Sequence, residues 1–175
     1  MTFKRILDVF KSGGKSKSPT IEPLDPASEF THPENKALFA RLKENSRAAA
    51  PDKDSLWTIG GYEVRAHPDL VSILYDLISD GEVRKGSAYG GPVMANHRGL
   101  VFAFAGGTHY IFFRLSETRH DAARQDGGRF DPTYGTDWIE FRLGGRIEVQ
   151  SDWQEALRRW SRISYHDSLA AESES

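Results

Sequence analysis

Gly91-Pro92-Val93-Met94-Ala95-Asn96-His97-Arg98-Gly99-Leu100-Val101-Phe102-Ala103-Phe104-Ala105-Gly106-Gly107-Thr108-His109-Tyr110-Ile111-Phe112-Phe113-Arg114-Leu115 is the stretch that decides the fold. Three apolar runs, 93–95, 100–105 and 110–115, are separated by Asn96-His97-Arg98-Gly99 and by Gly106-Gly107. Both separators are rich in turn formers, so the stretch predicts a three-stranded antiparallel meander. Strict alternation puts Leu100, Phe102 and Phe104 on one side of the middle strand and Val101, Ala103 and Ala105 on the other.

Working outward, residues 56–59 and 62–66 flank Gly60-Gly61, the pattern of a tight hairpin. Pro68 opens a helix to about Ser79 with Leu70, Val71, Leu74, Leu77 and Ile78 on one side, and Gly81 stands where a left-handed C-terminal cap is expected. Downstream, residues 116–136 are polar and glycine-rich without a period and read as a long loop. Ile139, Phe141 and Leu143 alternate with Glu140 and Arg142, and Gly144-Gly145 turns that strand into a partner at 146–149. Ser151 and Gln154 form a capping box for a last helix whose apolar face is Trp153, Ala156, Leu157, Trp160 and Ile163. Strands cluster instead of alternating one by one with helices. The expected class is therefore α+β: an antiparallel sheet (hairpin, meander, hairpin) with helices packed on one face.

This α+β domain spans residues 51–167. Ahead of it, residues 1–30 read as a basic amphipathic helix and a flexible linker. Phe3, Ile6, Leu7 and Phe10 fall at i, i+3, i+4 and i+7, with Lys4, Arg5 and Lys11 off that stripe. Residues 31–50 hold a second helix from Pro33 to about residue 48, with Leu38, Phe39 and Leu42 as a narrow apolar stripe. Residues 168–175 are small and acidic and read as a disordered tail.

The chain has 175 residues, no cysteine and a net charge of −2. Without cysteine there is neither a disulfide framework nor a thiolate metal site, which suits a reducing cytoplasm. No run approaches the roughly 18 apolar residues of a membrane span. Charge is uneven: residues 1–20 carry five basic side chains against Asp8, whereas residues 51–175 carry 14 Lys and Arg against 19 Asp and Glu. That balance argues against a domain that is basic throughout, as strong nucleic-acid binders usually are.

Several segments together resemble a known arrangement. They are Tyr89-Gly90-Gly91-Pro92-Val93-Met94, Gly99-Leu100-Val101-Phe102-Ala103-Phe104 and Tyr110-Ile111-Phe112-Phe113-Arg114-Leu115, followed by Tyr134, Asp137-Trp138-Ile139-Glu140-Phe141, and a closing helix with Trp160 and Ser164-Tyr165. The stretch 68–167 resembles the small bacterial proteins of the TfoX N-terminal and YjbR (MmcQ)-like families. That resemblance implies a double-wing fold with suggested DNA binding, or a link to competence regulation, and it brings no catalytic motif to carry across.

Reactive groups do not converge in the sequence. Gly14-Lys15-Ser16 lacks the glycine of a phosphate loop, since Val9 stands there. The six histidines show no i, i+4 pair, and Asp126, Asp131 and Asp137 are too far apart for a calcium loop, so neither a metal nor a cofactor is expected. The leading expectation is a non-enzymatic binding or interaction module with an unknown protein partner. A nucleic-acid-associated regulator is the alternative, with Arg84, Lys85 and Arg98 as phosphate contacts. A small enzyme using His120 and Asp121 as a proton-transfer pair is a further one. Phe3, Ile6, Leu7 and Phe10 would dock on a partner or make weak peripheral contact with an anionic membrane.

Overall fold

The computed structural model describes residues 30–48, 57–59, 62–64, 66–79, 82–107, 109–143 and 151–171. The expected amphipathic helix with Phe3, Ile6, Leu7 and Phe10 lies outside these residues, as do Gly60-Gly61, Gly81 and the strand expected at 146–149.

The chain forms helix α1 (Asn35–Ala48), a hairpin of β1 (Trp57–Ile59) and β2 (Tyr62–Val64), and helix α2 (Pro68–Asp76). Strands β3 (Arg84–Ala88), β4 (Gly91–Ala95), β5 (Val101–Gly106) and β6 (Tyr110–Arg114) follow, then helix α3 (His120–Gln125), strands β7 (Arg129–Phe130) and β8 (Trp138–Arg142), and helix α4 (Ser151–Ala170). Strands β3 to β8 make one antiparallel sheet in the order β3-β4-β5-β6-β8-β7, while β1 and β2 form a separate pair. The α+β class and the antiparallel sheet are as the sequence predicts.

The meander gains a strand at its start. Arg84-Lys85-Gly86-Ser87-Ala88 carries no apolar alternation, yet it pairs with β4 along its whole length. It is an edge strand, where polar residues are tolerated because one side has no neighbouring strand. The joining turn is Tyr89-Gly90, with φ of 50° and 81°. Positive φ at both positions is the pattern that matches strand twist in a two-residue hairpin.

Alternation along β5 fails at one residue. Met94 pairs with Ala103 while Ala95 pairs with Val101, so Phe102 is an extra residue, a β-bulge. Phe102 consequently joins Ala103 and Ala105 in the core under α2 and α4, whereas Val101 and Phe104 face the other way. The expected grouping of Phe102 with Phe104 is corrected by this bulge.

Two cores result. On one face Leu70, Val71 and Leu74 of α2, Ala123 of α3, and Leu157 and Trp160 of α4 pack on Met94, Phe102, Phe113, Ile139 and Phe141. The domain's helices thus share one face of the sheet. On the other, Phe30, Leu38 and Leu42 of the preceding segment pack on Val93, Ala95, Val101 and Phe104.

Three further expectations change. Residues 116–136 are not one long loop: they hold a 3-10 turn at Glu117–Arg119, then α3 and β7. Ala123 is the buried residue of α3, too little for a periodic signal, and the segment is instead tied by Asp126, which accepts from the Trp160 indole at 3.0 Å and pairs with Arg159. Helix α2 stops at Asp76, short of Ser79. The final helix runs to Ala170 with Ser168 buried, so residues 168–170 are not a disordered tail. The Ser151 side chain of the expected capping box lies outside the described residues.

Candidate functional site

Helix α1 is held by one buried amide. Asn35 donates from Nδ2 to the carbonyls of Phe30 (2.9 Å) and Gly99 (2.8 Å) and accepts from the Val101 N–H at Oδ1 (2.9 Å). This fixes the start of α1 against the turn between β4 and β5. Farther along, Leu42 closes over Gly91, where an added Cβ would come within 3.6 Å of it. The helix therefore lies across the sheet beside β3 and β4, with Leu38 and Leu42 inward.

The outward side of α1 is basic. Within residues 35–44 its sequence holds Lys36, Arg41 and Lys43 against Glu44. Lys36, Arg41 and Lys43 are exposed. Arg41 pairs with Glu44 at 3.0 Å. Lys36 and Lys43 are seven residues apart, two turns, and share a stripe beside Phe39. Phe39 meets the ring of Tyr89 edge-on at 6.0 Å, and the Lys43 ammonium stands 5.8 Å from the centre of that ring. Tyr89 itself is 39% exposed despite its size.

The three expected phosphate contacts separate. Arg84 and Lys85 are consecutive strand residues and face opposite sides of the sheet. Arg84 is on the α1 side, its guanidinium 5.5 Å from the centre of the Phe30 ring. Lys85 is on the α2 side, where Nζ donates to the Tyr75 carbonyl at 2.5 Å. Burial pushes the Lys85 ammonium below its ordinary pKa, and Asp76 partly offsets this. Arg98 is exposed in the β4–β5 turn, next to the Gly99 carbonyl that Asn35 holds. Arg84 and Arg98 therefore flank the start of α1, and Lys85 does not join them.

His120 and Asp121 turn to different partners. The His120 Nε2 lies 3.1 Å from the Leu115 carbonyl, whereas Asp121 pairs with Arg124 one turn on. A cleft of about 200 Å³ between β6 and the end of α4 is lined by Arg114, Ser116, Asp137, Asp167 and Ser168. Its polar groups satisfy one another: Asp167 accepts from the Ser116 N–H (3.1 Å) and hydroxyl (2.9 Å), and Arg114 pairs with Glu34 (2.5 Å) and Asp137 (3.6 Å). Among the described residues no group of three His, Asp or Glu side chains is placed to hold a metal ion.

Sequence reasoning missed Asn35, Tyr89, Lys36 and Lys43. For the two lysines a signal existed in their spacing about Phe39. For Asn35 there was none, because an amide at a helix start is ordinarily read as a local cap.

No family model, no curated protein and no solved structure matches the chain.

Proposed function

We propose that this chain is a non-enzymatic binding module whose contact surface is the basic, aromatic side of α1 and the β3–β4 hairpin. The observation that carries the reading is the placement of Lys36, Lys43, Tyr89, Arg84 and Arg98 on one side of the molecule, on a sheet whose main domain is otherwise acidic in total charge. Such a surface attracts polyanions. The absence of cysteine accords with a cytoplasmic setting. The likeness to TfoX- and YjbR-like proteins belongs to the same proposal and rests on the sequence segments quoted above. A duplex-binding regulator using Arg84, Lys85 and Arg98 has less support, since Lys85 faces α2.

Retention on immobilised heparin tests the surface. The wild type should bind at low salt, and the triple variant Lys36→Ala, Lys43→Ala, Arg98→Ala should elute at clearly lower salt with an unchanged circular dichroism spectrum. Flow-through of the wild type at the lowest salt, or co-elution of the two, would refute the reading.

A further inference from the structure

We infer that the partner of this surface is an acidic polypeptide segment that joins the sheet as an added strand along the free edge of β3, an inference that rests on the basic surface proposed above and names what it takes. Three observations converge. The first is the edge itself. In the order β3-β4-β5-β6-β8-β7 the sheet ends on β3 and on β7. Strand β7 is two residues long, whereas β3 pairs over five consecutive residues without a shift of register. Short length and bulges keep an edge from recruiting further strands, and β3 has neither.

The second is where the backbone groups of β3 point. In an antiparallel pair, hydrogen-bonded and non-hydrogen-bonded positions alternate. Ser87 lies opposite Pro92, which has no N–H to give. The pair is therefore a non-bonded one, and the N–H and carbonyl of Ser87 turn away from β4. By the same alternation so do those of Lys85, opposite Met94. Among the described residues no backbone group outside the ladder bonds to Lys85 or Ser87. A further polypeptide strand supplies donors and acceptors at the spacing of this row, which a phosphodiester chain does not.

The third is charge. Arg84 stands on the α1 side at the start of β3, and Lys43 stands over Tyr89 just past its end. Lys85 stands on the α2 side. A second copy of β3 would bring like charges together, which destabilises cross-strand pairing. A strand with carboxylates at alternate positions presents them along one face, to Arg84 and Lys43. Opposite charges arranged in this way select the partner and speed its arrival.

The test is fluorescence anisotropy with the full chain and a labelled eight-residue peptide of alternating glutamate and valine. The peptide should bind, and added salt should weaken binding. An added strand uses one of its own edges only. N-methylation of one alternate set of peptide amides should therefore weaken binding by at least about tenfold, while methylation of the other set leaves it unchanged. Ser87→Pro removes one outward N–H and, as a proline on an edge strand, spares the ladder to β4. It should bind the peptide about tenfold more weakly, with heparin retention near that of the wild type. Should Ser87→Pro fail to fold, the methylated peptides decide alone. Heparin retention without peptide binding would overturn the strand inference and leave the polyanion surface standing. Equal tolerance of both methylated peptides would do the same, because attraction by charge alone does not distinguish the two peptide edges. Failure of the wild type on both heparin and peptide would remove both readings.

Discussion

Tyr89 and Gly128 show how single positions are constrained. Tyr89 sits in a conformation that costs a bulky residue about 1 kcal/mol, and Asn tolerates it far better. Replacing Tyr89 with Asn should raise stability by up to about 1 kcal/mol in urea titration. A variant that is less stable would show that the ring's packing on Phe39 outweighs the backbone term. Gly128 is restricted by space alone. A Cβ there would come within 2.7 Å of Ile139 Cγ2 and 2.8 Å of the Ala123 carbonyl. Gly128→Ala should therefore destabilise by roughly 1–3 kcal/mol, the range for overpacking a core. An unchanged thermal midpoint would contradict that close approach.

At the scale of elements, one side chain joins a helix to a turn. Asn35→Ala deletes three hydrogen bonds and leaves the buried Val101 N–H without its acceptor, which should cost roughly 2–4 kcal/mol. Because those bonds also set where α1 lies, amide exchange should quicken in α1 and in residues 96–101 more than in α4. Uniform quickening would mean that α1 is not separately anchored. How far the elements were legible follows from what signals them. Helices α2 and α4 announce themselves by apolar period, since each buries one face, and the meander by apolar runs between turn formers, since its strands are covered on both faces. Strand β3 is silent because an edge strand of Arg, Lys, Gly, Ser and Ala needs no period. Helix α3 is silent because Ala123 is its buried residue. The Phe102 bulge is invisible because an inserted residue leaves composition unchanged while reversing the pattern. The candidate surface is half legible: Arg84 and Arg98 lie on it, whereas Lys85, the neighbour of Arg84 on one strand, must face the other way.

The molecule as a whole stacks two cores on one sheet, and its far edge carries a charge that folding disfavours. Glu140, on β8 beside β7, has its carboxyl pushed above the usual range by burial and then by Asp131, with Arg129 and Arg142 opposing. The folded protein therefore holds this proton more tightly than the unfolded chain does. Stability contributed by the protonated form is present at low pH and is lost as pH rises from the ordinary carboxylate pKa through the raised one. Glu140→Gln should be more stable than the wild type at neutral pH, with the gap closing as pH falls below the ordinary carboxylate range. A gap that stays constant across that window would mean that the substitution acts through packing and not through charge.

The bulge at Phe102 bears on descent. Removing that residue would leave Ala103 following Val101 in regular alternation, so every other side chain of β5 keeps its side and its partner. Phe102 is thus a place where a single codon can enter or leave a finished sheet without shifting the frame of its pairing. The newcomer's carbonyl needs a donor, and the Ser164 hydroxyl of α4 stands 2.6 Å from it and 2.7 Å from the Arg114 carbonyl, shared between the two. A related chain with the extra aromatic should therefore carry a hydroxyl donor at the position of Ser164.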